Sequence, residues 1–365
     1  MKRMIALGGA VAGMLAYAAF AAPAATAKSV PAPKTLAQTN FAAKQVAAFW
    51  FAERAANLQK ATPYAVETTV STKVKHKSTV PTGAATTKPG LVGSSGDQKQ
   101  SSATAKNVNL PRTVGKVFFI GADGKPHWCT GTALQGRYKN IVATAGHCVF
   151  DVKRNRATLD RWVFVPGYYK GKTPWGIYVG KTAYTHYDFS VYEDGDRNYA
   201  FVTVYNGVQA EWEKQGRSWK LTLKDAGRLG DNVGGQGLAY NQKLGAQPVF
   251  VFGYPSGSHP DGNFAFTGQT LKWSYGKPFA AQAPAQKAEN LQGIKSAFTG
   301  EGALGSAWLL KYSNATRLGY LNGVTIGVAD TDGNGRYDTS VSPYFDGETL
   351  QVYQAAEKNW SGKIV

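Results

Sequence analysis

The chain has 365 residues, a formal net charge of +18 and only two cysteines. Its length allows a large hydrophobic core, and its 43% hydrophobic and 12% aromatic content excludes a chain that is disordered throughout. Two cysteines exclude a disulfide-stapled miniprotein and a zinc module built on four cysteines, but they leave room for one disulfide.

The positive charge is concentrated in the first third of the sequence. Residues up to Arg112 include 14 basic and 3 acidic side chains, a net charge of +11, whereas the remaining residues include 27 and 20, a net charge of +7. An excess of this size suggests an anionic partner when it lies in the folded body. Because most of it lies in the N-terminal region, we expect no nucleic-acid partner.

Residues 1–27 have the pattern of a secretory signal peptide. Lys2 and Arg3 precede an apolar run that reaches Ala22, and small residues at 25–27 form a cleavage site. The run is rich in Gly and Ala and only marginally hydrophobic, which disfavours a membrane anchor. We therefore expect a secreted, extracellular protein that has no membrane contact in its mature form and whose cysteines can be oxidised.

Residues 28–67 carry a helical pattern. Apolar side chains recur at helical spacing between Leu36 and Leu58, and Thr39 or Asn40 can provide the N-cap. We interpret this segment as a helical pro-segment.

Residues 68–111 are rich in Lys, Thr, Ser, Gly and Pro and offer almost no side chains for a core. This composition predicts a disordered, flexible, basic linker. Cleavage after Lys106 or Arg112 would separate it from the body at 112–365.

The body has the pattern of an all-β fold. Short β-branched and aromatic runs are separated by Gly, Pro, Asn and Asp at roughly hairpin spacing, as in a sandwich or barrel. The clearest runs are 117–120, 141–145, 162–166, 199–204, 249–254 and 318–328. Only residues 344–356 predict a helix, which would close the chain.

The most specific motif is the stretch Ile-Val-Ala-Thr-Ala-Gly-His-Cys-Val at 141–149. A buried strand ends there in a turn of small residues that presents His147. Cys129 lies eighteen residues before this histidine, and Cys148 follows it directly. General-base catalysis needs an imidazole that is held in one orientation, and a bridge between the two cysteines would hold this turn.

This stretch resembles the histidine motif of the chymotrypsin-like (trypsin-type) serine proteases, and the resemblance extends over nearly the whole body. It is most similar to the secreted actinobacterial branch of that family. The resemblance implies two packed six-stranded β-barrels with an active site in the cleft between them, and a disulfide between Cys129 and Cys148. The alternative is a core histidine beside an unrelated cysteine, which leaves the matching flanking residues unexplained.

A working triad also needs an Asp that orients the histidine. The segment that matches the Asp motif is 197–204, and Asn198 occupies the Asp position. An amide does not stabilise a cationic imidazole, and as a donor it favours the wrong tautomer. The same exchange lowers kcat by about 10⁴ in a trypsin-type enzyme.

The segment that matches the nucleophile motif is 298–308. Leu304 falls at the Ser position when Trp308 is the anchor of the comparison. Ala303 falls there when the Thr-Gly pair at 299–300 is the anchor, because one residue is extra. Neither register provides a serine.

Further family features are altered in the same region. The resemblance places the oxyanion-hole N–H groups at Gly302 and Leu304, and Glu301 adds a carboxylate beside them. Ser274 and Ser296 occupy the two positions at which this branch often has a second disulfide.

We therefore expect a catalytically impaired serine protease homologue, a pseudoprotease, which is monomeric and retains a cleft for a peptide or protein ligand. The alternative is an active serine endopeptidase in which His147 works with a shifted nucleophile, Ser306, and is oriented by Asp188, Asp194 or Asp196. A third possibility is a structural or wall-associated protein, which only the basic linker supports.

One further run has the spacing of a calcium loop. Asp330, Asp332, Asn334 and Asp338 place oxygens at positions 1, 3, 5 and 9. Position 12 is Val341 rather than Glu, which argues against an EF-hand, and a surface turn explains the pattern equally well. The expected function requires no cofactor. Calcium is the one metal ion that the sequence suggests as a ligand.

Overall fold

The computed structural model describes residues 30–65, 69–70, 75–76, 88–95, 108–154 and 157–365. The expected signal peptide and much of the expected linker lie outside these residues. Within the part of the chain that is described, no helix is both long and apolar enough to cross a membrane.

The fold is mostly β, as expected. The first half of the described chain contains β1 (Pro31–Thr35), α1 (Asn40–Lys60), β2 (Thr62–Pro63), β3 (Lys75–His76), β4 (Gly90–Val92), β5 (Val114–Ile120), β6 (Pro126–Leu134), β7 (Ile141–Thr144), β8 (Phe150–Asp151), β9 (Ala157–Thr158), β10 (Asp160–Pro166), β11 (Tyr178–His186), α2 (Tyr187–Tyr192) and β12 (Ala200–Val204). The second half contains β13 (Gly207–Gln215), β14 (Ser218–Gly227), α3 (Leu229–Val233), β15 (Gly237–Tyr240), β16 (Val249–Gly253), β17 (Ser256–Gly257), β18 (Phe266–Thr267), β19 (Lys272–Gly276), β20 (Phe279–Ala283), β21 (Ala288–Lys295), β22 (Ala307–Ser313), β23 (Leu318–Val324), β24 (Gly327–Ala329), β25 (Thr339–Pro343) and α4 (Gly347–Glu357).

Six antiparallel strands of the first half close a barrel in the order β5-β6-β7-β12-β11-β10. Both faces of its wall are covered. In β5, Val114 and Phe118 belong to one hydrophobic cluster, and Val117 and Phe119 belong to another. Because successive side chains of a strand point to opposite faces, a wall buried on both sides needs a continuous apolar run. The expected first barrel is confirmed.

The second half differs from the expected second closed barrel. Its strands form a six-stranded sheet, β19-β16-β22-β23-β15-β4, and a five-stranded sheet, β24-β25-β21-β20-β3. The chain is interrupted between β19 and β20, where Pro278 has no N–H for a ladder bond. Strand β19 pairs with β16, whereas β20 pairs with β21. The described residues therefore form one closed six-stranded barrel, two larger open sheets and three two-stranded sheets.

The segment before the body packs on the first barrel. Strand β1 pairs with β11, and α1 begins after Thr39, whose Oγ1 accepts the N–H of Ala42 at 3.1 Å. Of the two possible N-caps, Thr39 is the one that the structure has. Residues 52–55 leave the helical conformation, so α1 is kinked there. The Trp50 side chain is fully buried and its ring centroid lies 5.7 Å from that of Phe118.

Three short stretches of the expected linker, 68–111, contact the sheets of the second half. Strand β3 pairs with β20, β4 pairs with β15, and Val70 is buried. Ladder hydrogen bonds join backbone groups, so a segment rich in Lys, Ser, Thr and Gly can extend a sheet edge without an apolar pattern.

The expected closing helix is confirmed as α4. Asp346 begins it with a capping box, in which its Oδ1 accepts the N–H groups of Glu348 and Thr349. The helix returns to the first barrel, where Tyr353 stacks edge-on against Phe201 with 5.7 Å between ring centroids. The C-terminal end of the chain therefore ties the second half to the first.

Candidate active site

The histidine motif forms a tight turn at the end of β7. Residues Gly146–Cys148 make one 3₁₀ turn, and a Cβ at Gly146 would lie 2.5 Å from the ring of Phe189. Only glycine fits there without displacing that ring. The ring then packs edge-to-face against His147 with 5.3 Å between centroids, and His147 is 8% exposed.

The expected disulfide is confirmed. Cys129 in β6 is bonded to Cys148, with 6.2 Å between their Cα atoms. Both cysteines are fully buried. Next to the bridge, the Trp162 indole N–H donates to the Cys148 carbonyl at 2.9 Å. The turn that carries His147 is thereby held by a covalent bond and by a buried hydrogen bond.

Asn198 contacts His147 at two points. The His147 backbone N–H donates to Asn198 Oδ1 at 3.1 Å, and Asn198 Nδ2 lies 2.8 Å from His147 Nδ1. The first bond fixes the orientation of the amide, so Nδ2 faces the ring. Because an amide nitrogen can only donate, Nδ1 must be the acceptor, and the neutral ring carries its proton on Nε2.

Burial also keeps this imidazole neutral. Removal from water lowers the pKa of His147 to about 4, while the more distant charges of Asp151 and Glu193 act in the opposite direction. An Asp in place of Asn198 would raise this pKa, since an adjacent carboxylate favours the charged ring. The site therefore has a histidine that is oriented but uncharged at neutral pH.

This low pKa predicts a pH dependence of stability. The ordinary His pKa is 6.5, so between pH 6.5 and about 4 the unfolded chain gains a proton at His147 that the folded chain does not. The free energy of unfolding should fall by up to about 3 kcal/mol as the pH decreases through that window. Urea denaturation from pH 7 to 4 measures it. The His147→Gln variant should lack this component, and identical pH profiles for the two proteins would contradict the assignment.

The three aspartates considered as alternative partners of His147 are engaged elsewhere. Asp188 Oδ2 lies 3.8 Å from His186 Nδ1, and Asp194 caps a short turn by accepting the Asp196 N–H at 2.8 Å. Burial raises the pKa of Asp194 to about 6. Asp196 accepts the two backbone N–H groups at 289–290. Each carboxylate thus contacts other groups, and none of these contacts is with the His147 ring.

The segment that matches the nucleophile motif packs against the base of the histidine turn. Leu304 is fully buried, and its carbonyl accepts the Thr130 N–H at 2.9 Å. A Cβ at Gly305 would lie 2.1 Å from the Thr130 carbonyl oxygen and 2.4 Å from Thr144 Oγ1. The segment therefore lies close to the strand that precedes His147, as the resemblance implies for this loop.

Ser306, the alternative nucleophile, is fully buried where β22 begins. Its Oγ donates to the Ala303 carbonyl at 2.6 Å, and its carbonyl accepts the Thr325 N–H at 3.0 Å. A Cβ at Gly253 would lie 1.8 Å from Ser306 Oγ. The hydroxyl thus lies between its own loop and the neighbouring strand β16.

The Gly302 N–H, one of the two expected oxyanion-hole donors, has an unexpected acceptor. It donates to the Tyr64 carbonyl with an N···O distance of 3.3 Å. Gly302 has φ +71, and a Cβ on it would lie 2.1 Å from the Trp128 ring. The Glu301 carboxylate lies against Gly257. Sequence reasoning missed Tyr64, which is a single aromatic residue between Pro63 and Ala65 and belongs to no periodic pattern.

The space beside His147 is small. A cavity of about 30 Å³, which is room for about one water molecule, separates it from residues of both halves of the chain. The Gly195 N–H donates to the Lys287 carbonyl at 3.2 Å, and Lys287 Nζ lies 3.1 Å from Glu193 Oε2. The two loops close together over the imidazole.

Of the two positions interpreted as a former disulfide, Ser274 lies in β19 and Ser296 follows the end of β21. Ser274 Oγ donates to the Lys295 carbonyl at 3.3 Å, next to Ser296 in sequence.

The calcium-loop residues are used in other ways. Asp330 accepts two N–H groups of its own loop, and Asp332 accepts the Asn334 N–H. Asp338 accepts a hydrogen bond from Lys295 Nζ at 2.6 Å. Among the described residues, no group of three or more His, Cys, Asp or Glu side chains could hold a metal ion. Calcium binding by this loop therefore stays a prediction.

No family model matches the chain, and no curated protein matches it. Two solved structures are similar at 25% identity. Protease Anisep from Arthrobacter nicotinovorans matches over 69% of this chain and 98% of its own, with a TM-score of 0.53. The thermostable serine protease AL20 from an extremophilic microorganism matches over 68% of this chain and 98% of its own, with a TM-score of 0.52. Together with the closed barrel, these matches show that the chain has the chymotrypsin-like serine protease fold.

Proposed function

We propose that this chain is a secreted homologue of the chymotrypsin-like serine proteases that lacks peptidase activity and binds a peptide or protein segment. The pair formed by Asn198 and His147 carries the proposal. A general base must accept the nucleophile's proton on Nε2, but the Asn198 amide leaves the proton on that nitrogen. In this tautomer His147 cannot accept a proton from any nucleophile on Nε2.

The nucleophile is the second support for this proposal. The position that matches the family's serine is Leu304, which has no hydroxyl. The alternative endopeptidase would need Ser306 to leave the Ala303 carbonyl and turn toward His147 from the start of β22. The cavity beside the imidazole, about 30 Å³, is also too small for a substrate side chain.

Binding is supported by backbone groups that already hold an extended chain. The Gly302 N–H and the Val328 carbonyl both bond to residues of the N-terminal region. Backbone pairing of this kind gives affinity for an extended peptide without chemistry on it. We propose a monomeric, exported protein whose partner is such a segment rather than nucleic acid, and no cofactor is required.

A fluorophosphonate probe tests the loss of activity. The probe reacts with a serine that an adjacent base activates. The purified full chain should remain unlabelled under conditions in which trypsin labels completely. The Val70→Lys variant should also remain unlabelled. Val70 is buried and bonds to the Val328 carbonyl, so a lysine at this position should displace the N-terminal region from the cleft. Labelling that disappears in both His147→Ala and Ser306→Ala would establish the alternative endopeptidase and overturn the proposal.

A further inference from the structure

We propose that residues 62–76, which we call the strap, are an internal ligand of the binding cleft, and that an external peptide binds only when the strap leaves. The inference rests on the proposed function, since it assumes that the cleft binds peptides. It is carried by the described residues of the strap, which are 62–65, 69–70 and 75–76.

The strap enters between the two halves of the fold. Strand β2 runs parallel to β6, with Thr62 opposite His127 and Pro63 opposite Trp128. The Tyr64 N–H then donates to the Trp128 carbonyl at 2.9 Å, and the Tyr64 carbonyl accepts the Gly302 N–H. One residue thus bonds to a wall of the first barrel and to the loop that matches the nucleophile motif.

The Tyr64 side chain occupies an aromatic subsite. It is 5% exposed, its ring centroid lies 5.0 Å from that of Phe119, and His127 lies 5.5 Å away. Burial raises the pKa of Tyr64 to about 12. An aromatic side chain gains the most from such a site, because it buries a large area and packs edge-to-face.

The next described contact lies on the five-stranded sheet. Thr69 forms a parallel bridge with Val328, and the Val70 N–H donates to the Val328 carbonyl at 2.9 Å. The Val70 side chain is 1% exposed and belongs to the same hydrophobic cluster as Leu304 and Ile326. An aliphatic residue of the strap is therefore buried beside β24.

The strap then pairs with the edge of the same sheet. Strand β3 lies antiparallel to β20, with Lys75 opposite Gln282 and His76 opposite Ala281. Along this course Thr62, Ala65 and Thr69 are exposed. The described contacts thus fit a peptide that buries an aromatic residue and, six positions later, a β-branched one, and that pairs through its backbone.

The strap competes with any external ligand because it is tethered to the same molecule. On the N-terminal side it continues into α1, which packs on the first barrel. Short tethers give effective concentrations on the order of millimolar. A free peptide with the same contacts should therefore bind only weakly to the wild-type chain, and displacement of the strap should increase its apparent affinity.

Val70→Lys in the full chain tests this competition, because it places a charge in an apolar site. Ala65→Lys adds the same charge at an exposed strap position and serves as the matched control. Two quantities are measured: hydrogen exchange at Gly302, and binding of a fluorescein-labelled synthetic peptide with the sequence of residues 62–76. Val70→Ser is a milder second variant, and circular dichroism shows which variants are folded.

We expect Gly302 to exchange about tenfold faster in Val70→Lys than in the wild type, and the peptide to bind this variant at least about tenfold more tightly. Ala65→Lys should behave as the wild type. The strap proposal is overturned when folded variants with a lysine or serine at position 70 keep slow exchange at Gly302, or when exchange accelerates but peptide affinity does not change. Fluorophosphonate labelling would instead overturn the proposed function and leave the strap intact.

Discussion

Replacing Trp50 with alanine should lower the free energy of unfolding by about 3–5 kcal/mol. The Trp50 side chain is fully buried, its ring contacts Phe118 of the first barrel, and its indole N–H donates to the Arg161 carbonyl at 2.6 Å. The substitution leaves a large cavity and an unpaired carbonyl. Urea denaturation of the full chain measures the change. This is the largest single effect on stability that we expect.

Phe41→Ala provides the control for this substitution. Phe41 lies in the same helix, but its side chain is 69% exposed. Its removal should change stability by less than about 0.5 kcal/mol, since exposed positions contribute little. Equal effects of the two substitutions would show that α1 does not pack on the barrel. The expected difference would instead make the region before the body a part of the folded unit.

The Asn198→Asp variant should raise the pKa of His147 from about 4 to above its ordinary value of 6.5. The carboxylate accepts a hydrogen bond where the amide donates one, so the ring proton moves to Nδ1 and the imidazolium gains an adjacent negative charge. The shift corresponds to more than about 3 kcal/mol in favour of the charged ring. Nitrogen-15 NMR of the imidazole across pH 3–9, reading both the tautomer and the pKa, measures the change.

Asn198→Ala is the control for this charge effect. It removes the hydrogen bond to Nδ1 but leaves the ring buried and adds no charge, so the pKa of His147 should remain low. An equal upward shift in both variants would contradict the assigned role of the amide. Asn198→Asp should not restore peptide hydrolysis, because Leu304 still provides no hydroxyl.

The strands of the first barrel and α4 were predictable because their signals are local, whereas the barrel architecture and the disulfide were implied by the resemblance of the motif around His147. Apolar runs such as 141–145 give the strands of a wall that is buried on both faces. The motif around His147 carries enough specific residues to indicate its cysteine partner and the segment that contains Asn198. The structure contains both pairs: Cys129 is bonded to Cys148, and the Asn198 amide contacts the His147 ring.

The strap was not predictable, because backbone pairing leaves no pattern in the sequence. Val70 is a single apolar residue among Thr and Ser, and Tyr64 follows a proline, so neither gives a periodic signal. Their partners, Gly302 and Val328, lie more than 200 residues away in the chain. Pro278 is visible in the sequence, but the sequence does not show that the strand before it pairs with β16 and the strand after it with β21.

Incubation of the Val70→Lys variant with the labelled 62–76 peptide tests the central claim most directly, since it asks whether the opened cleft binds a peptide without cutting it. Fluorescence anisotropy follows binding, and mass spectrometry of the recovered peptide follows cleavage over a day. We expect the peptide to bind and to be recovered intact, because in the proposed function the Asn198 amide keeps the proton on Nε2 of His147 and Leu304 has no hydroxyl. Cleavage that disappears in the Val70→Lys/His147→Ala double variant would contradict the account.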